Sequence, residues 1–148
     1  MKKTLITTLL LLAGMRLTAQ ILHPVLWSYA AKKIGKNEAV IFLKATIDNG
    51  WHIYSQHVKD GGPVKTTFTF AESPAYSLSG TTTEPKAVTR YEKAFSMNVS
   101  YFEHVVVFRQ KIRFKAGEVS VRGTLEYMTC NDQKCLPPDD IDFTIPVN

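Results

Sequence analysis

Apolar and polar residues alternate with period two along most of this chain, and almost no stretch repeats at helical spacing. Between Glu38 and Asp48, Ile41, Leu43, Ala45 and Ile47 share one parity, while Val40 and Phe42 make the other face partly apolar, as in a central strand. The turn Asp48-Asn49-Gly50 leads into a strand from Trp51 to Ser55. After Gly61-Gly62-Pro63, Phe68 and Phe70 alternate with threonines, and Tyr76 to Ser79 fits a short edge strand. Val99 to Phe114 is a long alternating run. Ala116-Gly117-Glu118 turns it, and Val119, Val121, Leu125 and Tyr127 continue on a strand expected to pair with it as a hairpin. Ile141, Phe143, Ile145 and Val147 form the last strand. Seven or eight short strands in one domain predict an all-β sandwich.

The first residues follow a different pattern. Met1-Lys2-Lys3 is basic, Thr4 to Gly14 is mostly apolar, and Leu17-Thr18-Ala19 ends in a small residue, so residues 1–19 are expected to be a cleaved secretory signal and 20–148 the mature domain. The apolar run falls well short of the roughly 20 residues that span a bilayer. No cysteine follows it to carry a lipid. The expected location is outside the cytoplasm, where a disulfide can persist. Loss of Lys2, Lys3 and Arg16 with the signal lowers the formal charge from +5 to +2, with 15 Lys and Arg against 13 Asp and Glu. The Arg109, Lys111, Arg113, Lys115 alternation reads as a solvated sheet face, and nucleic-acid binding finds no support.

The chain has two cysteines, in the run Tyr127-Met128-Thr129-Cys130-Asn131-Asp132-Gln133-Lys134-Cys135-Leu136-Pro137-Pro138. Cys130 ends the strand that begins near Glu118, and Cys135 opens the connection to the last strand. A structural disulfide is one reading. Closing so short a loop, however, removes only about 2 kcal/mol of unfolded-state entropy, which makes a poor staple. The spacer is wholly polar and should face solvent, where thiolates exchange, and Pro137-Pro138 stiffens the exit. Both readings stay open on these residues alone. A metal site is less favoured, because structural zinc takes four ligands and His23, His52, His57 and His104 are scattered. His52 and His57 read as surface residues flanking a strand turn, and His104 as a partly buried edge residue.

The combination of Trp51-His52-Ile53-Tyr54-Ser55-Gln56-His57, Gly61-Gly62-Pro63, Phe68-Thr69-Phe70 and the run Tyr127 to Pro138 resembles the N-terminal periplasmic domain of DsbD, the transmembrane thiol:disulfide interchange protein. The resemblance covers nearly all of the mature chain. It implies an immunoglobulin-like β-sandwich in the periplasm, a monomer without cofactor or metal. It also implies a component of a protein-disulfide reductase system, relaying electrons from a membrane-embedded donor through a thioredoxin-like domain. Thioredoxin-fold periplasmic oxidoreductases, including cytochrome c maturation factors, would receive them.

Cys135 would then form the mixed disulfide with the partner and Cys130 would resolve it. Phe95, in the segment Tyr91 to Met97, would be the phenylalanine of a cap loop, with Trp51 and Tyr54 as further candidates for lining the site. Tyr127 reads as a core residue. The spacer between the cysteines is shorter than in the best-known members, and Lys93-Ala94 stands where they carry acidic residues. The chain ends directly after the last predicted strand, which fits a stand-alone carrier or a fragment. The competing function is an immunoglobulin-like binding or adhesion module whose disulfide only shapes a loop.

Overall fold

The computed structural model describes residues 22–115 and 117–148. The expected signal, residues 1–19, lies outside them. Among the described residues the chain forms eleven strands and no helix. Strands β1 (Val25–Gly35), β2 (Glu38–Ile47), β8 (Val105–Phe114) and β5 (Tyr76–Thr83) make one antiparallel sheet in the order β1-β2-β8-β5. Strands β11 (Asp139–Val147), β9 (Val119–Tyr127) and β4 (Thr67–Phe70) make a second, in the order β11-β9-β4. The third joins β10 (Thr129–Asn131), β3 (Trp51–Tyr54), β7 (Met97–Phe102) and β6 (Val88–Glu92), in the order β10-β3-β7-β6.

Alternation along the strands builds the core of the sandwich. Ile41, Leu43 and Ala45 of β2 and Phe108 and Ile112 of β8 are buried together with Val121 and Leu125 of β9 and Phe143 and Ile145 of β11. Trp27 sets its ring edge against Phe68 at 6.0 Å and Tyr127 at 5.5 Å, bringing rings from the first two sheets together. The expected core role of Tyr127 matches this packing. Arg109, Lys111, Arg113 and Lys115 are all exposed on the outer face, as their alternation predicts.

Several features differ from the pattern reading, among them that the strand expected to run from Glu118 to Cys130 ends at Tyr127 and Cys130 lies on the separate β10. β1 lies outside the elements predicted above, although Val25, Trp27, Tyr29 and Ala31 alternate inward along it. The run from Val99 to Phe114 is not one strand. It breaks at Glu103-His104, where His104 takes a left-handed φ of 61° and its carbonyl accepts the Ile47 N–H at 2.7 Å, so β7 and β8 enter different sheets. His104 is exposed rather than partly buried. Finally, β8 and β9 do not pair as a hairpin: β8 bonds β2 and β5, and β9 bonds β4 and β11. Each carries a full apolar face, and placing them in different layers sets those faces against each other.

Candidate functional site

Cys130 lies on β10, and the chain turns back through Asn131-Asp132-Gln133-Lys134 to Cys135. The two cysteines are joined as a disulfide with Cα atoms 4.0 Å apart. Asn131 shapes the turn: its side-chain oxygen accepts the N–H of Gln133 at 2.9 Å and of Lys134 at 2.8 Å, a role that suits its short acceptor. The N–H of Asn131 donates to the Lys134 carbonyl at 2.9 Å, and that of Leu136 to the Thr129 carbonyl, also at 2.9 Å. The sulfurs therefore sit on a hydrogen-bonded tongue, with Pro137-Pro138 leaving from its base.

The two cysteines differ in surroundings. Cys130 is 2% exposed and packs on Tyr54, Val99 and Tyr101, whereas Cys135 is exposed. Register explains the difference. β10 pairs Cys130 with His52 on β3, and Tyr54 pairs with Tyr101 on β7, so these side chains share one face of the third sheet. Cys135 stands outside the named strands and touches the ladder only at its bridge to Cys130.

A second hairpin leans over this face. β6 and β7 close at Glu92↔Met97, and the turn Lys93-Ala94-Phe95-Ser96 is held by the Phe95 N–H on the Glu92 carbonyl at 3.2 Å, with Ser96 at a φ of 53°. The Phe95 ring meets Tyr54 edge-on at 6.3 Å between centroids. Between this turn and the cysteine tongue runs a groove of about 550 Å³ whose walls include Tyr54, Phe95, Cys130 and Cys135. Arg90 crosses from one hairpin to the other. Its guanidinium lies 2.7 Å from Glu92, 3.7 Å from Asp132 and 4.5 Å above the Tyr101 ring.

Of the predicted site residues, Cys130, Cys135, Phe95 and Tyr54 come together, and Trp51 does not. Trp51 and Tyr54 are three apart on a strand and so point to opposite faces. Trp51 packs half-buried against the main core, and the groove is built without it. His57 is exposed, as expected, but His52 is not a surface residue: it is 2% exposed, with Nε2 3.2 Å from the Tyr54 hydroxyl and its ring 5.0 Å from Tyr101. The parity of Trp51-His52-Ile53-Tyr54 was the available signal, since it puts His52 on the face of Tyr54. Arg90 gave no comparable signal, because its role depends on β6, a strand outside the predicted elements.

Burial is the largest influence on His52 and lowers its pKa, and Arg90 acts in the same direction. The carboxylates of Glu92, Glu103 and Asp132 oppose them. Burial pushes the Tyr54 hydroxyl up to about 12, so it stays protonated. Beyond Tyr54 the chain is clamped by Glu84, whose carboxylate accepts the Ser55 hydroxyl, the Gln56 N–H at 2.9 Å and the Gln56 side-chain amide at 3.2 Å. Thr66 adds a bond from its hydroxyl to the Tyr54 carbonyl at 2.6 Å. The strand that presents His52 and Tyr54 is therefore fixed at its exit.

Comparison with known proteins gives this geometry its relatives. Residues 24–146 match the family model described as thiol:disulfide interchange protein DsbD, N-terminal. No curated protein matches the chain significantly. Among solved structures, the reduced DsbD N-terminal domain of Neisseria meningitidis is similar at 17% identity and a TM-score of 0.60, over 84% of this chain and 86% of that one. The N-terminal periplasmic domain of ScsB from Proteus mirabilis is similar at 18% identity and a TM-score of 0.61, over 88% of this chain and 49% of that one. A complex of the DsbD and PilB N-terminal domains from Neisseria meningitidis matches at 15% identity and a TM-score of 0.55, over 84% of this chain and 87% of the matched one. At these identities the structures speak for the immunoglobulin-like β-sandwich, and the family model covers most of the sequence. With a cysteine pair closed as a disulfide at one end of that sandwich, the chain belongs to the family of DsbD N-terminal thiol–disulfide exchange domains.

Proposed function

We propose that residues 20–148 act in the periplasm, after cleavage of residues 1–19, as a monomeric relay of reducing equivalents through Cys130 and Cys135. The observation that carries this reading is the asymmetry of the pair: Cys135 is exposed at the mouth of a groove, while Cys130 is buried beneath it. Exchange proceeds by attack of a thiolate on a disulfide sulfur, so one reachable sulfur with a second one behind it is the arrangement the chemistry needs. In the reduced domain the Cys135 thiolate attacks the partner's disulfide, forming a Cys135–partner bond and releasing the partner's other sulfur as a thiolate. Cys130, as thiolate, then attacks Cys135 Sγ. The Cys130–Cys135 bond forms, the partner leaves with its second thiolate, and two electrons have passed to it.

Recharging is the reverse, with a membrane-embedded DsbD-like donor or its thioredoxin-like domain as reductant. The recipients are thioredoxin-fold oxidoreductases, including those that serve cytochrome c maturation. The solved complex of a DsbD N-terminal domain with a PilB domain supports partners of this kind. Phe95 covers the bridge against stray thiols and swings away when a partner docks. No cofactor is required.

The test is the reduction potential of the pair, measured by equilibration with thioredoxin or glutathione buffers, together with trapping. A potential within the range of exchange proteins, and accumulation of a mixed disulfide by Cys130→Ser but not by Cys135→Ser, is the expected result. A bridge below about −300 mV that thioredoxin reduces only slowly would instead mark a loop staple on a binding module.

A further inference from the structure

Cys130 meets a difficulty that the exposed Cys135 does not. Its sulfur must shed a proton before it can resolve the mixed disulfide, and it must take one up when it is the leaving group. Yet it is 2% exposed, enclosed by Tyr54, Val99 and Tyr101, so bulk water is poorly placed to exchange that proton. A buried imidazole stands directly across the β3/β10 ladder from it, as His52 and Cys130 are register partners. Directly opposite residues in an antiparallel pair carry Cβ atoms about 4.5–5.5 Å apart on the same face, within reach of an imidazole. The Tyr54 hydroxyl engages Nε2 at 3.2 Å, which leaves Nδ1 to serve a second group.

Building on the relay reading above, we infer that His52 is the proton acceptor for Cys130: it takes the thiol proton as Cys130 attacks Cys135, and returns it when Cys130 leaves in the opposite direction. In the forward step the S–H bond of Cys130 breaks toward the imidazole, and the Cys130 Sγ–Cys135 Sγ bond forms. The Cys135–partner bond breaks, its electron pair leaving on the partner's sulfur. The imidazolium then gives its Nε2 proton to the Tyr54 hydroxyl, 3.2 Å away, which lines the groove and passes its own proton to water there.

The groups around His52 suit this role. Tyr54 on β3 and Tyr101 on β7 pack against the ring, Arg90 and Glu92 face it from β6, Asp132 from the cysteine tongue and Glu103 from the turn after β7. Burial and Arg90 outweigh the three carboxylates, so the ring is held neutral near pH 7, the form an acceptor needs.

The experiment follows the reduced chain in stopped flow with 5,5′-dithiobis(2-nitrobenzoate). The first nitrothiobenzoate released reports attack by Cys135, and the second reports resolution by Cys130. For His52→Gln the expected result is an unchanged first release and a second release slowed by about a hundredfold at pH 7, the low end of general-base effects. The variant's second release should also climb with pH where the wild type is level. His52→Tyr keeps a ring among the tyrosines and gives the same readout should the glutamine variant fail to fold. A second release with the same rate and pH profile in folded variants overturns the role of His52 and leaves the relay intact. A wild-type chain that never closes its disulfide in this assay removes the relay reading itself, and the role of His52 with it.

Discussion

Phe95 and Tyr54 meet edge-on at 6.3 Å and both line the groove beside the disulfide, and in the proposed relay this contact covers the sulfurs. An aromatic pair of this kind is worth about 0.5–1.5 kcal/mol beyond its buried area. Removing it with Phe95→Ala should therefore raise the rate at which dithiothreitol reduces the bridge by about 2- to 10-fold, as read by alkylation under quenched conditions. Thioredoxin, whose docking is proposed to displace Phe95 in the wild type, should gain less. His52 also leaves a mark on stability. Its folded-state pKa lies below the ordinary value of about 6.5, so below that pH the unfolded chain takes up a proton that the folded one resists. Stability is thus fully present above about pH 6.5 and falls as pH drops toward the folded-state value. Urea unfolding at pH 7.5 and pH 5 should show a larger acid loss in wild type than in His52→Gln. The two cysteines are legible as candidates because their run and spacing mark them, and Phe95 only through the family resemblance. The burial of Cys130 and His52 is not, since it depends on which strand lies beside β3.

The strands are positioned by small concessions in their side chains. Gly123 on β9 is one: a Cβ there would lie 2.3 Å from the Thr69 carbonyl and 2.5 Å from the Phe143 ring, so its absence admits both β4 and β11. Gly123→Ala should cost about 1–3 kcal/mol, as overpacking does, and thermal unfolding should show it without loss of the disulfide. Gln110 is another. It is buried in β8 and bonds the Thr82 hydroxyl at 2.8 Å and the Gly80 carbonyl at 3.2 Å, holding the irregular stretch of β5 between Ser79 and Thr83. Alternation along β2 and β11 was plain in the sequence because each has one strongly apolar parity. The division of Val99 to Phe114 is marked locally only by the two consecutive polar residues Glu103-His104, across which the buried parity changes, and it is the sheet to which each half bonds that shows the two halves to be separate strands.

Across the molecule the disulfide stands apart from the main core, which is built from β1, β2, β8, β9 and β11 together with parts of the neighbouring strands. Reducing it should leave the fold in place and lower stability by about 2 kcal/mol, a shift in Tm of about 5–10 °C in calorimetry of oxidised and reduced protein. That tolerance is what a pair cycling between two redox states requires. Period-two patterning, strong turn signals and the cysteine run are local properties, because a strand's two faces and a turn's backbone demands are met within a few residues. They were enough to reach an all-β sandwich, the end of it that carries the sulfurs and the family it resembles. Which strands become neighbours depends on the burial of whole apolar faces against one another. That non-local balance placed β8 and β9 in different layers and set His52 and Arg90 around a buried Cys130.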